Sequence, residues 1–139
     1  MTDIETMCQR VLDNPDFEPN ELELALACQS TLSSNHVIAL NKVIPENLIS
    51  EVVLTGPQQL SSISDLQLSS RQNEAIFMLC KIWSMLLHHF NKREDIAIRW
   101  LKQPKRPLAG QYPINLMQSN AGSEAVLGLI ERLNTGDFS

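Results

Sequence analysis

Apolar residues recur along this chain at helical intervals, and no stretch alternates for long enough to make a strand. Thr2-Asp3-Ile4-Glu5 has the form of a capping box, and Ile4, Met7, Cys8 and Val11 then follow at helical spacing. The pattern predicts a first helix ended by Pro15 and Pro19. Asn20 is placed to cap a second, with Glu21 and Glu23 in the first turn, where the helix dipole favours negative charge. Its stripe of Leu22, Ala25 and Leu26 runs on to about Leu32. Ser33 and Ser34 open a third helix through Leu40. A turn near Pro45 precedes the apolar segment Leu48–Leu54, which Gly56-Pro57 stops.

Residues 55–68 are rich in Ser and Gln with a Gly-Pro pair, and read as a connector. They divide the chain into 1–67 and 68–139, or else form a loop within one body. Ser69 followed by Gln72 predicts a capping box for the longest helix, 70–90. Eleven of the fifteen residues in Ile76–Phe90 are apolar, so that helix must be covered on nearly every side, by a core or by an oligomer partner. Asn91 with Glu94 is expected to cap a short helix through Trp100-Leu101. Pro104, Pro107, Gly110 and Pro113 make 103–113 a stiffened loop. A brief helix at 114–117 follows, and Asn120 is expected to cap a last one to about Asn134, with Val126, Leu129, Ile130 and Leu133 inward. Gly128 inside it costs about 1 kcal/mol relative to alanine, which predicts another backbone passing close. Gly136 is read as the helix stop. The fold expected is all-α: a multi-helix bundle with a degenerate helix-turn-helix-like N-terminal half and a compact C-terminal helical domain.

At 139 residues, with 43% apolar and 19% charged positions, this is an ordinary folded chain and not a disordered tail. No apolar run reaches the roughly 18 residues of a membrane span, and residues 1–14 lack the layout of a signal peptide. Cys8, Cys28 and Cys80 are odd in number and widely spaced, as expected of a protein in a reducing cytoplasm. The net charge of −5 is uneven: residues 1–70 carry two basic against ten acidic groups, and residues 71–139 nine against six. The densest basic stretch is Lys92, Arg93, Arg99, Lys102, Lys105 and Arg106, either a solvated face or a surface for an acidic partner.

Reactive groups do not converge. Adjacent His88 and His89 point about 100° apart on a helix, and no metal-ligand spacing links them to His36 or to a cysteine. Five scattered glycines match no phosphate loop. No catalysis, metal or cofactor is expected. Residues 35–54 have a helix-turn-helix-like outline, with Ile38 and Ala39 in the first helix, Ile44 in the turn, and Ile49 and Val52 inside the second. That would expose Glu46, Asn47, Ser50 and Glu51, making Asn47 and Ser50 the DNA-contact candidates, although no Arg or Lys stands beside them to meet phosphate.

The most specific pattern begins at Trp100: Trp100-Leu101-Lys102-Gln103-Pro104, Leu108-Ala109-Gly110, Pro113, Leu116-Met117, Gly122, Val126, Leu129-Ile130 and Gly136-Asp137-Phe138-Ser139. Together with the long helix before it, this resembles the C-terminal toxin-binding domain of Xre/MbcA/ParS antitoxins, over about 68–139. Ala109 stands where that family's first paired glycine is found, Lys105-Arg106 where Asn-Pro is frequent, and Asp137 where an apolar residue is frequent. The resemblance implies an antitoxin of a type II pair whose partner is a RES-type toxin, an NAD-consuming enzyme, with the antitoxin's C-terminal domain occluding the NAD cleft. Toxin contacts are then expected among Lys105, Arg106, Leu108, Gly110, Arg132, Asn134, Gly136, Phe138 and Ser139, of which Gly110 and Gly136 also read as turn-makers. Trp100, Leu116 and Leu129 read as core. Phe138 offers an aromatic anchor, and the carboxylate at Ser139 an anion for a phosphate-binding pocket. A homodimer through the 76–90 helix and autoregulatory binding of operator DNA are further expectations. The competing classes are a DNA-binding regulator and a helical dimerisation module without a toxin.

Overall fold

A computed structural model of the chain describes residues 3–45, 48–53 and 68–135. Among the described residues there are eight α-helices and no strands: α1 (Ile4–Asp13), α2 (Glu21–Ala27), α3 (Ser34–Val43), α4 (Leu48–Val53), α5 (Ser70–His89), α6 (Glu94–Leu101), α7 (Pro113–Leu116) and α8 (Asn120–Asn134). A 3-10 turn, Arg106–Leu108, lies between α6 and α7. The all-α expectation is borne out.

Helix α5 is the axis. Its capping box is complete: Ser69 Oγ accepts from Gln72 N at 3.1 Å while Gln72 Oε1 accepts from Ser69 N at 2.9 Å. Ile76, Leu79, Cys80, Ile82, Trp83 and Leu86 are completely buried. The cover comes from this chain itself, with α1, α8 and α4 making its main contacts. The apolar helix is therefore core from Ile76 to Leu86, while Leu87, His89 and Phe90 at its end are half-buried. Because α1 and α4 precede the 55–68 connector and α8 follows it, one hydrophobic core joins the two halves. Polar ties cross the same divide. Asn73 Nδ2 donates to Cys28 O at 2.9 Å and to Ser30 O at 3.0 Å, and Gln72 Nε2 donates to Val53 O at 3.2 Å. Lys81, the one cation buried in α5, donates to Phe17 O at 3.1 Å and Glu18 Oε1 at 3.4 Å, so its charge is met where the stem is buried.

Asn20 and Ser33 cap α2 and α3 as expected. Three other caps shift by a residue or more. Asp3 caps α1, accepting from Thr6 N at 2.8 Å; Thr2 lies outside the described residues. Arg93 precedes α6 without a side-chain cap, because Asn91 and Lys92 (φ 55° and 65°) are spent on reversing the chain after α5. Ser119, not Asn120, caps α8, accepting from Gly122 N at 3.0 Å. In α3 the inward pair is Val37 and Leu40, with Ile38 and Ala39 exposed. Ile44, Ile49 and Val52 do face inward.

The close approach expected at Gly128 is found instead at Gly122. Nothing lies within 4 Å of a Cβ built on Gly128, so no close backbone explains it. At Gly122 a Cβ would collide with the Leu116 carbonyl, so it is here that the end of α7 meets the start of α8 too closely for any side chain.

Candidate partner-binding face

The segment from α6 to α8 presents a small rigid projection. α6 buries Ala97, Trp100 and Leu101 and leaves Arg99 in solvent. Past Pro104 the chain pairs with itself: Lys105 bridges Gln111, with Lys105 N donating to Gln111 O at 3.1 Å and Gly110 N donating back to Lys105 O at 2.9 Å. The 3-10 turn sits inside this bridge, with Pro107 fixing one of its φ angles. Ala109 and Gly110 close it in the left-handed region, at φ 56° and 76°. Gly110 is thus a turn-maker. Ala109 holds a conformation that costs an L-residue roughly 1–2 kcal/mol.

Two side chains anchor the hairpin. Leu108 is only 7% exposed, and the turn that carries it packs against α8. The Lys105 ammonium lies 4.8 Å from the centroid of the Trp100 ring, a cation–π contact that pins the loop to α6. Its partial burial there pushes the Lys105 ammonium below its usual range. At the far end of α8, Asn134 Oδ1 meets His89 Nδ1 at 2.8 Å, fastening the helix to the end of α5.

Lys105, Arg106, Arg132 and Asn134 are among the contacts expected from sequence. Lys105 and Asn134 prove to have intramolecular partners, and Leu108 is a buried anchor. Arg106 and Arg132 are exposed, with no ion-pair partner among the described residues. Within the wider basic stretch, Arg93 is held by Asp95 at 3.1 Å and Lys102 lies 4.0 Å from Glu51. Arg99 and Arg106 therefore remain as unengaged guanidinium groups on this side. Tyr112, between the hairpin and Pro113, is 44% exposed and was not singled out from sequence. An aromatic inside a proline-stiffened loop was the available signal. Gly136, Phe138 and Ser139 lie outside the described residues.

The DNA-contact candidates fare differently. Asn47 is outside the described residues, and Ser50 is 5% exposed. Leu48, Ile49, Val52 and Val53 are buried with it, because α5 covers one side of α4 and α7 packs on it as well. Ser50, expected on an open helix face, is interior.

The three cysteines are buried and unpaired, and burial pushes the Cys28 thiol up to about 12. A hydrogen bond to Cys80, together with burial, raises Cys8 likewise, so Cys8 and Cys28 stay thiols and not nucleophilic thiolates at neutral pH. Among the described residues no group of three or more His, Cys, Asp or Glu is placed to hold a metal ion, and no helix is long and apolar enough to cross a membrane.

Residues 86–136 match the family model of the antitoxin Xre/MbcA/ParS C-terminal toxin-binding domain. The match starts at Leu86, late in α5, and spans α6, the hairpin, α7 and α8. It bears out the resemblance drawn from Trp100 onward and covers less of the chain than 68–139. A toxin-binding domain implies a toxin as partner and supports an antitoxin role. No curated protein matches the chain.

Proposed function

Taking residues 86–136 as a toxin-binding domain, we propose that this chain is the antitoxin of a RES-type toxin and acts by covering the toxin's NAD cleft. The observation that carries this reading is the bridged hairpin, which holds Arg106 and Tyr112 outward on a backbone fixed at Lys105, Leu108 and Gly110. Ordering a loop on association opposes binding by about 0.5–1.5 kcal/mol for each immobilised long side chain. A hairpin already fixed by its own bridge, a left-handed pair and a cation–π contact avoids much of that. Arginine and tyrosine are also the residue types that dominate well-packed interfaces. Inhibition is by shape and charge, with no bond made or broken by this chain. Arg132, exposed near the end of α8, is a further candidate contact.

The test is co-expression with a RES-type toxin. The full chain is expected to relieve growth arrest and to copurify with the toxin. An Arg106→Glu, Tyr112→Ala double variant is expected to fold normally and fail in both. Growth arrest that persists with the unaltered chain present in excess would end the proposal.

A further inference from the structure

Among the described residues four large hydrophobic side chains stay exposed: Leu22, Ile38, Val43 and Tyr112. Tyr112 belongs to the hairpin, and the other three stand on α2 and α3. At about 100° per residue, the exposed Ile38, Lys42, Asn35, Ala39 and Val43 share one arc of about 140° on α3. The buried Val37, Leu40 and Ile44 lie on the other side. The free face is thus apolar at Ile38 (41% exposed), Ala39 and Val43 (49%), and its single charge is Lys42. α2 offers a face of opposite sign: Leu22, 68% exposed, stands beside the exposed Ala25 and Glu21, and the helix carries no cation. Neither Lys42 nor Glu21 has an ion-pair partner among the described residues. Both helices leave one corner of the molecule. Ser30 Oγ accepts from Ile4 N at 3.0 Å and Ser33 N donates to Glu5 Oε1 at 2.8 Å, which holds their connection against the first turn of α1.

We propose that a second copy of this chain docks here, with α3 of each copy on α2 of the other about a two-fold axis. Ile38 and Val43 then bury against Leu22 and Ala25 of the other copy, and Lys42 faces Glu21. A two-fold axis makes every such contact twice, so one arrangement covers both exposed faces of both copies. Charge separates this occupant from the nearest alternative. Residues 54–67 hold Asp65, which could meet Lys42, but no Lys or Arg to meet Glu21. A second copy supplies both signs. The pairing leaves the apolar run of α5 in the core and uses only surface that is free. Two short helices from each copy make a small interface, of the class that dissociates in roughly the micromolar range.

The proposal does not depend on the antitoxin reading. Sedimentation velocity of the full chain tests it, and the dimer is expected to predominate at about 100 µM. Ile38→Glu with Val43→Glu should leave a monomer with an unchanged circular dichroism spectrum. Lys42→Glu alone and Glu21→Lys alone should each weaken pairing at least about tenfold, because the two-fold axis repeats the reversed contact. Mixed in equal amounts, these two variants should pair about as tightly as the unaltered chain, since each mixed pair again sets opposite charges together at both contacts. Glu94→Lys, on α6, should change the dissociation constant by no more than about twofold. An unaltered chain that stays monomeric at the same concentration overturns the proposal. So does pairing that emerges only after residues 54–67 are replaced by a Gly-Ser linker, which would make those residues the cover of α3. A dimer indifferent to Ile38→Glu with Val43→Glu places the seam elsewhere, and a mixture that fails to recover excludes α3 on α2; either result ends the proposal.

Discussion

Helix α4 and the 105–111 hairpin invert what their sequences suggest. α4 carries the outline of a recognition helix, yet five of its six residues are buried. The hairpin has the composition of a loop, yet it is bridged, pinned and exposed apart from Leu108 and the half-buried Lys105. Leu48, Ile49, Val52 and Val53 already cover too wide an arc for a helix with one open face, and α5 and α7 enclose the rest. Backbone constraint makes the hairpin: two consecutive left-handed residues, a proline and one bridging pair fix its shape, and only Leu108 and the Trp100 ring tie it to the core. On the proposed function, the surface that meets the toxin therefore lies on a segment whose shape comes from backbone constraint and not from a hydrophobic stripe.

If α4 is interior and the hairpin is surface, substitutions should sort accordingly. Ile49→Ala in α4 should destabilise by about 4 kcal/mol, seen as a large fall in thermal midpoint. Gly122→Ala comes next, at about 3 kcal/mol, because the Leu116 carbonyl must move to admit the methyl. It should also weaken toxin neutralisation, since the α7–α8 corner positions the hairpin. Arg106→Glu with Tyr112→Ala should do the opposite of Ile49→Ala: loss of at least about tenfold in toxin affinity (about 1.4 kcal/mol) with the thermal midpoint nearly unchanged. Lys105→Ala should destabilise by about 1 kcal/mol through loss of the contact with Trp100. The smallest effects are gains. Ala109→Gly relieves a left-handed alanine, and Gly128→Ala adds a methyl into open space within a helix; each should stabilise by about 0.5–1 kcal/mol in chemical denaturation. A loss at Gly128→Ala would reinstate a close neighbour there.

Local chemistry was legible from sequence. The Ser69–Gln72 box, the caps at Asn20 and Ser33, the stripe of α8 and the order of prolines and glycines after Trp100 all act within a few residues of one another. Features decided by distant partners were not. Gly122 and Gly128 look alike until the end of α7 is placed beside one of them. Asn134 looks free until α5 brings His89 to it, and Ser50 looks exposed until α5 and α7 close over α4. The basic stretch likewise reads as six equivalent cations, whereas Asp95, Glu51 and Trp100 engage three of them and leave Lys92, Arg99 and Arg106 outward.

The most direct measurement is NAD loss catalysed by the purified RES-type toxin while this chain is titrated in. Blocking the cleft through the hairpin predicts that turnover stops as the unaltered chain reaches equivalence, and that the Arg106→Glu, Tyr112→Ala chain, folded to the same thermal midpoint, needs at least about tenfold more. Undiminished NAD loss with excess unaltered chain, or identical titrations for the two, would contradict it.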